Sequence, residues 1–140
     1  MEVRLAAARD IEELYQLNEL FENKTSKENM QQLIIEDNHE IISIAYDSGI
    51  AVGYSTGLII KSICYSDYRV DIEALYVREA YRKQGIAKAL LACIEREAIA
   101  RKIFHFHIVT HKDNAIAQNL YQKCGYLNTN EVLLDKTITI

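Results

Sequence analysis

Residues 69–110 are the part of the sequence that most constrains what this chain can fold into. Their apolar pattern predicts a strand at 69–77, a helix at 85–101 and a second strand at 103–110. A strand, a helix and a strand of these lengths predict a parallel crossover, which is right-handed in nearly all known sheets. The predicted helix has one apolar stripe, formed by Ile86, Leu90, Ile94 and Ala98 with Ala87 and Leu91 beside it.

The flanking segments continue the alternation of strand and helix patterns. Two β-branched runs around Ser48-Gly49 predict a hairpin. The other predicted elements are a strand at 2–7, helices at 9–23 and 25–38, hairpin strands at 40–47 and 50–65, a helix at 113–125 and a final strand at 131–140. The order is therefore β-α-α-β-β-β-α-β-α-β, with an antiparallel meander in the first half. The predicted fold class is α/β, a mixed sheet with helices packed on it.

The predicted helices carry boundary signals in the sequence. The candidate caps are Asp10 with Glu13 three residues on, Thr25 with Glu28 three residues on, and Asp113 or Asn114. Gly125 follows the last predicted helix in the position where helices often end on a left-handed residue. These signals support the positions of three of the four helices.

Composition limits the class of protein. A length of 140 residues predicts a single domain over residues 1–140, and a net charge of −4 argues against a general nucleic-acid binder. Three cysteines, far apart and odd in number, indicate a reduced cytosolic setting. No signal-peptide core is evident and no run approaches the ~20 apolar residues of a membrane helix. We therefore expect a cytoplasmic protein without a membrane partner.

The segment REAYRKQGIAKALL, residues 78–91, places cations where a helix normally repels them. The start of a helix carries partial positive charge and unpaired N–H groups, so it favours an anion. Arg78, Arg82 and Lys83 nevertheless stand just before it. Gly85 permits close approach to the backbone, and a phosphate or pyrophosphate between helix and cations would explain the arrangement.

A plainer interpretation of this segment has equal weight on local sequence alone. The arginines are then a solvated surface, and the glycine only punctuates a loop. The known nucleotide motifs do not decide the matter, since neither G-x-x-x-x-G-K-[ST] nor G-x-G-x-x-G occurs in the chain.

Two segments of the chain resemble motifs of the GNAT N-acetyltransferases. LYVREAYRKQGIAKALL is similar to their acetyl-coenzyme A signature, with the R/Q-x-x-G-x-G/A pattern at residues 82–87. NAIAQNLYQKCGY is similar to their second motif, with Asn114 and Tyr121 in matching places. The element order also resembles the GNAT fold, so the likeness covers nearly the whole chain and is strongest at 69–127. The loop VREAYR departs from the family, which often has Asp-Pro there.

The resemblance implies roles in binding acetyl-CoA. Backbone groups of Leu75, Tyr76 and Val77 are expected to pair with the pantetheine arm as an added strand does. The backbone N–H groups of Gln84, Gly85, Ile86 and Ala87 are expected to hold the pyrophosphate. Arg82, Lys83 and Lys88 are candidates for the phosphate oxygens, and Asn114 belongs to the second motif. For Lys88, a solvated helix position is an equal alternative.

The chemistry of amine acetylation requires proton transfers. A primary amine with a pKa near ~10.4 is protonated at neutral pH, so a base must deprotonate it, directly or through water. The leaving thiolate benefits from a proton donor, and Tyr121 stands where the family keeps its general acid. The alternative is that Tyr121 only packs in the stripe of its helix.

Two acidic residues are candidates for the base. Asp71 and Glu73 lie two apart on one predicted strand and so are expected to share a face. The resemblance makes Glu73 the first choice and Asp71 the second. The alternative is that either acid forms an ion pair with Arg69 or Arg82.

Two further patterns are assigned ordinary roles. GYSTG at 53–57 matches a nucleophile elbow, but that motif needs a strand-to-helix turn and a strand pattern follows here. His105 and His107 form an H-x-H pair, which occurs in metal sites. The favoured interpretation is that both histidines occupy ordinary positions on a strand of the sheet, and no metal is expected.

The leading hypothesis is an acetyl-CoA-dependent N-acetyltransferase that acts by direct attack in a ternary complex. Its acceptor is expected to be a small cationic amine or a peptide amine, and a homodimer is left open. The alternative is a non-catalytic acyl-CoA sensor of the same fold, against which the retained Tyr121, Asp71 and Glu73 argue. A nucleic-acid module is disfavoured by the net charge and by the lack of an aromatic platform near residues 78–88.

Overall fold

A computed structural model describes residues 1–36 and 39–140. The last two residues of the predicted second helix, 37 and 38, lie outside the described residues. The chain forms two compact units, Met1–Val109 and Thr110–Ile140. None of the helices in the described part of the chain is long and apolar enough to cross a membrane.

The first unit contains all five strands of the described chain and three of its α-helices. Its elements are β1 (Glu2–Leu5), a 3₁₀ turn (Ala8–Asp10), α1 (Ile11–Leu20), α2 (Lys27–Glu36), β2 (Glu40–Asp47), β3 (Ile50–Ile60), β4 (Arg69–Val77), a second 3₁₀ turn (Glu79–Tyr81), α3 (Ile86–Ala100) and β5 (Phe106–Ile108). The second unit contains α4 (Ala115–Lys123).

The sheet has the strand order β1-β2-β3-β4-β5. The first four strands pair antiparallel, and β5 pairs parallel with β4. The predicted meander and the parallel crossover through α3 are therefore confirmed. The crossover strand β5 is shorter than predicted, at three residues.

A β-bulge interrupts β4 at Glu73. Thr56 of β3 pairs with Ala74 and Gly57 pairs with Ile72, so Glu73 has no partner position on β3. A bulge adds one residue to one strand and changes the alternation of its side chains. The bulge therefore divides β4 into two parts. Side chains at even-numbered positions lie on one face of the sheet before the bulge and on the opposite face after it.

The packing of β4 follows this change. On the N-terminal side of the bulge, Val70 and Ile72 lie beside Gly57, near Ile94 of α3. On its C-terminal side, Ala74 packs in the cluster of Leu14 and Leu17 from α1. The five buried members of the predicted stripe of α3 are Ile86, Leu90, Leu91, Ile94 and Ala98.

The capping predictions hold in part. Asn114 caps α4, because its Oδ1 accepts the N–H of Ala117 at 3.0 Å, and Gly125 adopts φ 97° after the helix. For α2, the cap is Ser26 and not Thr25, since the Oγ of Ser26 accepts the N–H of Asn29 at 3.0 Å. Asp10 makes no capping-box bond in α1 because its carboxylate is engaged elsewhere.

The final strand predicted at 131–140 is wrong for this structure. These residues have no regular secondary structure, and all of them are exposed. A strand needs a backbone partner for its N–H and C=O groups, and the described second unit contains no other strand. The alternating sequence is therefore present without the pairing that it favours.

Candidate active site

The loop before α3 has the backbone conformation that the glycine signature implies. Gly85 has φ 83° and ψ 7°, in the left-handed region, and Lys83 also has a positive φ of 65°. Residues 82–85 are exposed. A Cβ built on Gly85 would meet no other heavy atom within 4 Å, so packing within the chain does not require this glycine. Its backbone conformation and the open space above it remain as reasons for glycine.

The N-terminus of α3 lacks a cap from its own chain. The first intrahelical bond runs from the N–H of Ala89 to the carbonyl of Gly85 at 3.1 Å. No side chain caps the helix, and its first turn contains no acid. The N–H groups of Ile86, Ala87 and Lys88 precede that first bond, so they remain available to an anion.

The cations around the loop have different roles. Arg78 donates from Nε to the carbonyl of Ala51 at 2.8 Å, which ties the end of β4 to β3. Arg82 donates from Nε to the carbonyl of Val77 at 2.8 Å, and its guanidinium lies 5.6 Å from the ring centroid of Tyr76. Arg82 is thus held at the loop, whereas Arg78 is a structural residue.

The upper end of β4 has one paired edge and one open edge. Leu75, Tyr76 and Val77 pair with β3. On the other side, β5 pairs with β4 only from Val70 to Ile72. Within the described residues, the part of β4 above the bulge therefore has no strand on its β5 side, and an extended ligand has backbone groups to pair with there.

The two candidate bases differ in their surroundings. Asp71 accepts from Nε of Arg69 at 2.8 Å, and its Oδ1 lies 3.8 Å from Nδ1 of His107. The ion-pair alternative thus describes Asp71 in this structure. Glu73 is exposed at the bulge and forms no such pair with Arg82. The bulge gives Glu73 a position that strand alternation alone does not predict.

Tyr121 belongs to the second unit and lies in the last turns of α4. Its ring makes an edge contact with Tyr126 at a centroid distance of 6.2 Å, and the N–H of Tyr126 donates to its carbonyl at 3.0 Å. Burial, with a smaller effect of Cys124, raises the pKa of the Tyr121 phenol. The phenol is therefore protonated at neutral pH, as a proton donor must be.

Asn114 has a structural task that the family motif does not reveal. Its side-chain oxygen is the cap of α4, as described above. The amide Nδ2 is not part of that bond and is the group left for a ligand. Asn114 and Tyr121 thus lie at opposite ends of one helix, while the other predicted site residues lie in the first unit.

The remaining sequence signals have ordinary positions. Ser55 of the GYSTG segment is buried within β3, where its Oγ donates to the carbonyl of Ala74 at 2.7 Å. His105 and His107 approach with their Nε2 atoms 3.0 Å apart. No group of three or more His, Cys, Asp or Glu residues suited to a metal ion occurs among residues 1–36 and 39–140.

An aromatic cluster beside the loop was missed from the sequence. The ring of Phe21 lies 5.4 Å from Tyr76 and 6.5 Å from Tyr54. The hydroxyl of Tyr54 donates to Oδ1 of Asn18 at 2.6 Å, and burial raises the pKa of Tyr54 to about 12. In the sequence, Phe21 continues the apolar face of the helix predicted at 9–23, after Leu14 and Leu17, yet 39% of it is exposed. The sequence of a regular apolar stripe does not show which of its side chains is exposed.

Comparison with known proteins gives one family. The model described as "Acetyltransferase (GNAT) family" matches residues 8–126. Aminoglycoside N(6')-acetyltransferase type 1 of Salmonella typhimurium is 27% identical over 103 residues, which cover 71% of each chain. An acetyltransferase of Yersinia pestis is 26% identical over 143 positions, with coverage of 100% of this chain and 97% of the relative.

Solved structures show the same fold. AAC(6')-Iy in complex with the bisubstrate analogue CoA-S-monomethyl-acetylneamine has a TM-score of 0.86 at 22% identity, covering 99% of this chain and 98% of that one. A ribosomal-protein-alanine N-acetyltransferase from Brucella melitensis has a TM-score of 0.80 at 17% identity, with coverage of 98% and 100%. The fold is thus similar to that of enzymes whose names point to two different kinds of acceptor.

Proposed function

The chain belongs to the acetyltransferase (GNAT) family, and from this we propose that it acetylates a primary amine by direct attack on acetyl-CoA in a ternary complex. We include in this proposal one catalytic domain over residues 1–140 and a cytoplasmic location. No disulfide joins cysteines within the described residues, which suits a reduced compartment. The non-catalytic sensor is disfavoured, because the named relatives are enzymes.

The observation that carries the proposal is the uncapped N-terminus of α3. A left-handed glycine, free helix N–H groups and an adjacent arginine together suit a pyrophosphate. In our proposal, the N–H groups of residues 84–87 bind it, with Arg82 and Lys83 at its oxygens. Lys88, on the first turn, is a third candidate cation.

The open edge of β4 supports the position of the thioester. An extended pantetheine arm along Leu75–Val77 would use the backbone groups that β5 leaves unpaired. Bound in this way, the arm continues past the bulge at Glu73, so the reacting carbonyl comes close to the candidate base. Because the thioester is then held in one position beside the acceptor, the entropic part of the activation barrier for acetyl transfer is lower.

The reaction needs two proton movements. The amine nitrogen forms the new C–N bond to the acetyl carbon, the C–S bond breaks, and the electron pair leaves with the sulfur of CoA. Glu73, directly or through one water, takes the proton from the amine. Asp71 is the second candidate, with its ion pair to Arg69 as a competing role.

Tyr121 is proposed as the proton donor to the sulfur. Its raised pKa keeps the phenol protonated, but it also makes complete transfer to a thiolate of pKa near ~8.5 less favourable. The expected contribution is therefore a hydrogen bond that strengthens as negative charge develops on sulfur.

The proposed acceptor is a small cationic amine of the aminoglycoside or polyamine class. The relative from Salmonella is named for an aminoglycoside, and the exposed Glu73 supplies negative charge beside the predicted site. A peptide amine is the second candidate, favoured by the fold likeness to the ribosomal-protein-alanine enzyme. Likeness at this identity concerns the fold, so the two acceptors are separated by experiment.

The test is a screen of aminoglycosides, polyamines and peptides for thiol release from acetyl-CoA, with mass spectrometry of each product. Because Cys64 is exposed, enzyme without amine must be subtracted as the thiol background. We expect turnover with at least one cationic amine and a product heavier by one acetyl group. Binding of acetyl-CoA without acetylation of any amine on the panel would contradict the catalytic proposal.

A further inference from the structure

The side chain of Arg82 is exposed, yet two contacts hold it in one orientation at the loop before α3. Its Nε donates to the carbonyl of Val77 at 2.8 Å, and its guanidinium lies 5.6 Å from the centroid of the Tyr76 ring. The two Nη groups take no part in that hydrogen bond, so they are the donors left for a phosphate. An exposed arginine without such contacts would sample many rotamers.

The neighbouring cation, Lys83, provides a contrast. It is also exposed, and its backbone has a positive φ of 65°. Among residues 1–36 and 39–140, its side chain has neither a hydrogen bond nor a ring contact comparable to those of Arg82. Of these two cations, Arg82 is therefore the one that the fold orients before a ligand arrives.

The ring of Tyr76 is itself held by aromatic contacts. The ring of Phe21 lies 5.4 Å away with its plane at 37°, and Phe21 makes an edge contact with the buried Tyr54 at 6.5 Å. The N–H of Phe21 donates to the carbonyl of Leu17 at 3.1 Å, which fixes Phe21 to the end of α1. A row of ring contacts thus runs from the core beside α1 to the guanidinium of Arg82.

The bulge at Glu73 brings Tyr76 to this row. On the N-terminal side of the bulge, Ile72 faces Ile94 of α3. On its C-terminal side, Ala74 and Tyr76 both pack on the cluster beneath α1. Without the bulge, strand alternation would turn Tyr76 toward α3, away from Phe21. The register of the sheet therefore determines that this ring meets Arg82.

We propose that Tyr76 is a positioning residue, whose ring holds the guanidinium of Arg82 in the orientation that receives the pyrophosphate of acetyl-CoA, with Phe21 supporting the ring. The inference rests on the proposed function, in which the pyrophosphate binds at the start of α3. A guanidinium that is already oriented loses less side-chain entropy when it forms paired bonds to phosphate oxygens. The ring acts on the ligand through Arg82, whereas the backbone of Tyr76 has its separate proposed role beside the pantetheine arm.

The first test examines the protein without any ligand. NMR relaxation of the arginine Nε–H groups measures how well each guanidinium is ordered. The Arg82 group should be ordered in the native protein and in Tyr76→Phe, which keeps the ring, and mobile in Tyr76→Leu. The control is Tyr54→Phe, which removes the 2.6 Å bond to Asn18 but no ring of the row, and it should leave Arg82 ordered.

The second test is a double-mutant cycle measured by calorimetry with acetyl-CoA. Tyr76→Leu should weaken binding by about 3–10-fold, the range expected for a lost cation–π contact and a newly mobile side chain. In the Arg82→Gln background, the same change should weaken binding by less than about 1.5-fold, because the residue through which the ring acts is gone. Tyr76→Phe should restore most of the affinity that Tyr76→Leu loses.

A poorly folded Tyr76→Leu would not prevent either test. Phe21→Leu changes a side chain that is 39% exposed and removes the support of the ring. It should also mobilise Arg82, and its effect on acetyl-CoA affinity should likewise disappear in the Arg82→Gln background.

Three results would overturn the inference. The first is an Arg82 Nε–H group that is mobile in the native protein or equally ordered without the ring. The second is native acetyl-CoA affinity in Tyr76→Leu. The third is an equal loss of affinity with and without Arg82, which would assign the effect of Tyr76 to β4 itself. A native protein that binds no acetyl-CoA would instead overturn the proposed function, and the ligand-free NMR measurement would then decide the positioning of Arg82 by itself.

Discussion

The N-termini of α1 and α3 present the same positive helix field, but the two regions satisfy it differently. At α1, Asp10 is 1% exposed and accepts two bonds of 2.8 Å from Arg4, one of 2.7 Å from the hydroxyl of Tyr46 and one of 2.8 Å from the N–H of Ala7. At α3, the corresponding position is the exposed Gly85, with no acid and no cap. The start of α1 therefore has a carboxylate of its own, and the start of α3 has none.

The comparison offers a physical reason for the cations that precede α3. Arg4 stands beside the start of α1 because Asp10 lies between the two positive groups. Arg82 and Lys83 stand beside the start of α3, where the chain supplies no such carboxylate. In our proposal, an external anion completes the second arrangement as Asp10 completes the first. The proposal therefore gives the binding of acetyl-CoA to the backbone at the start of α3 and the proton transfers to side chains elsewhere.

The largest expected effect separates binding from chemistry. Tyr121→Phe keeps the ring that contacts Tyr126 and removes the hydroxyl that we propose as the proton donor. We expect kcat to fall by about 10²–10⁴-fold, with little change in acetyl-CoA affinity. Stopped-flow rates and calorimetry on the same preparation measure the two quantities. A loss of less than about threefold in a chemistry-limited kcat would assign Tyr121 to packing alone.

The next effect distinguishes the two acids of β4. Glu73→Gln keeps the shape of the side chain and removes its basicity, so the acid limb of the pH profile of kcat/KM should disappear or shift. We expect a loss of at least about 10-fold at neutral pH. Asp71→Asn, which also breaks the pair with Arg69, is the comparison variant and should do less to the profile. The reverse ranking would assign the base to Asp71, and two unchanged profiles would exclude both.

Removing the internal anion of α1 should affect stability. The bonds from Arg4 hold the pKa of Asp10 at about 2, below its ordinary 3.8. A lowered carboxyl pKa stabilises the fold above the ordinary value, and the contribution is lost as pH falls from about 4 to about 2. Asp10→Asn should therefore cost about 2 kcal/mol at pH 7, and less as the pH falls below 4. Urea unfolding at several pH values measures this, and a pH-independent difference would contradict the ion-pair account.

The smallest expected effect concerns the start of α4. Asn114→Ala removes the cap oxygen and should cost about 1 kcal/mol of stability. Asn114→Asp keeps that oxygen and removes the amide donor. If Asn114 also contacts the cofactor, Asn114→Asp should weaken acetyl-CoA binding at native stability. Unchanged binding in the Asp variant would limit Asn114 to its capping role.

Much of the fold was predictable because local patterns and tertiary packing agree. The stripe from Ile86 to Ala98 is buried as predicted, and the parallel pairing of β4 with β5 follows from element lengths. The signature around Gly85 was also visible, since a left-handed residue at a helix start needs glycine or strain. These features depend on residues close together in the sequence.

Other features depend on partners distant in the sequence. The bulge at Glu73 arises from the register between β3 and β4, which no single strand contains. The capping pattern at Asp10 gave no indication of its bonds to Arg4 and Tyr46. Residues 131–140 have the alternating pattern of a strand, but pairing requires an edge that the pattern cannot specify. The exact register between strands and the side-chain contacts between distant residues are therefore where prediction from the sequence was least successful.

The central claim is that the N-terminus of α3 binds the pyrophosphate of acetyl-CoA, and calorimetry of Gly85→Glu against Gly49→Glu tests it most directly. Both glycines have nearly the same φ, 83° and 82°, with no other heavy atom within 4 Å of an added Cβ, so the backbone strain of the two variants is matched. Gly85→Glu alone places a carboxylate where the anion should bind. The account predicts at least a ~100-fold loss of acetyl-CoA affinity in Gly85→Glu and native affinity in Gly49→Glu. Equal affinities in the two variants would contradict it.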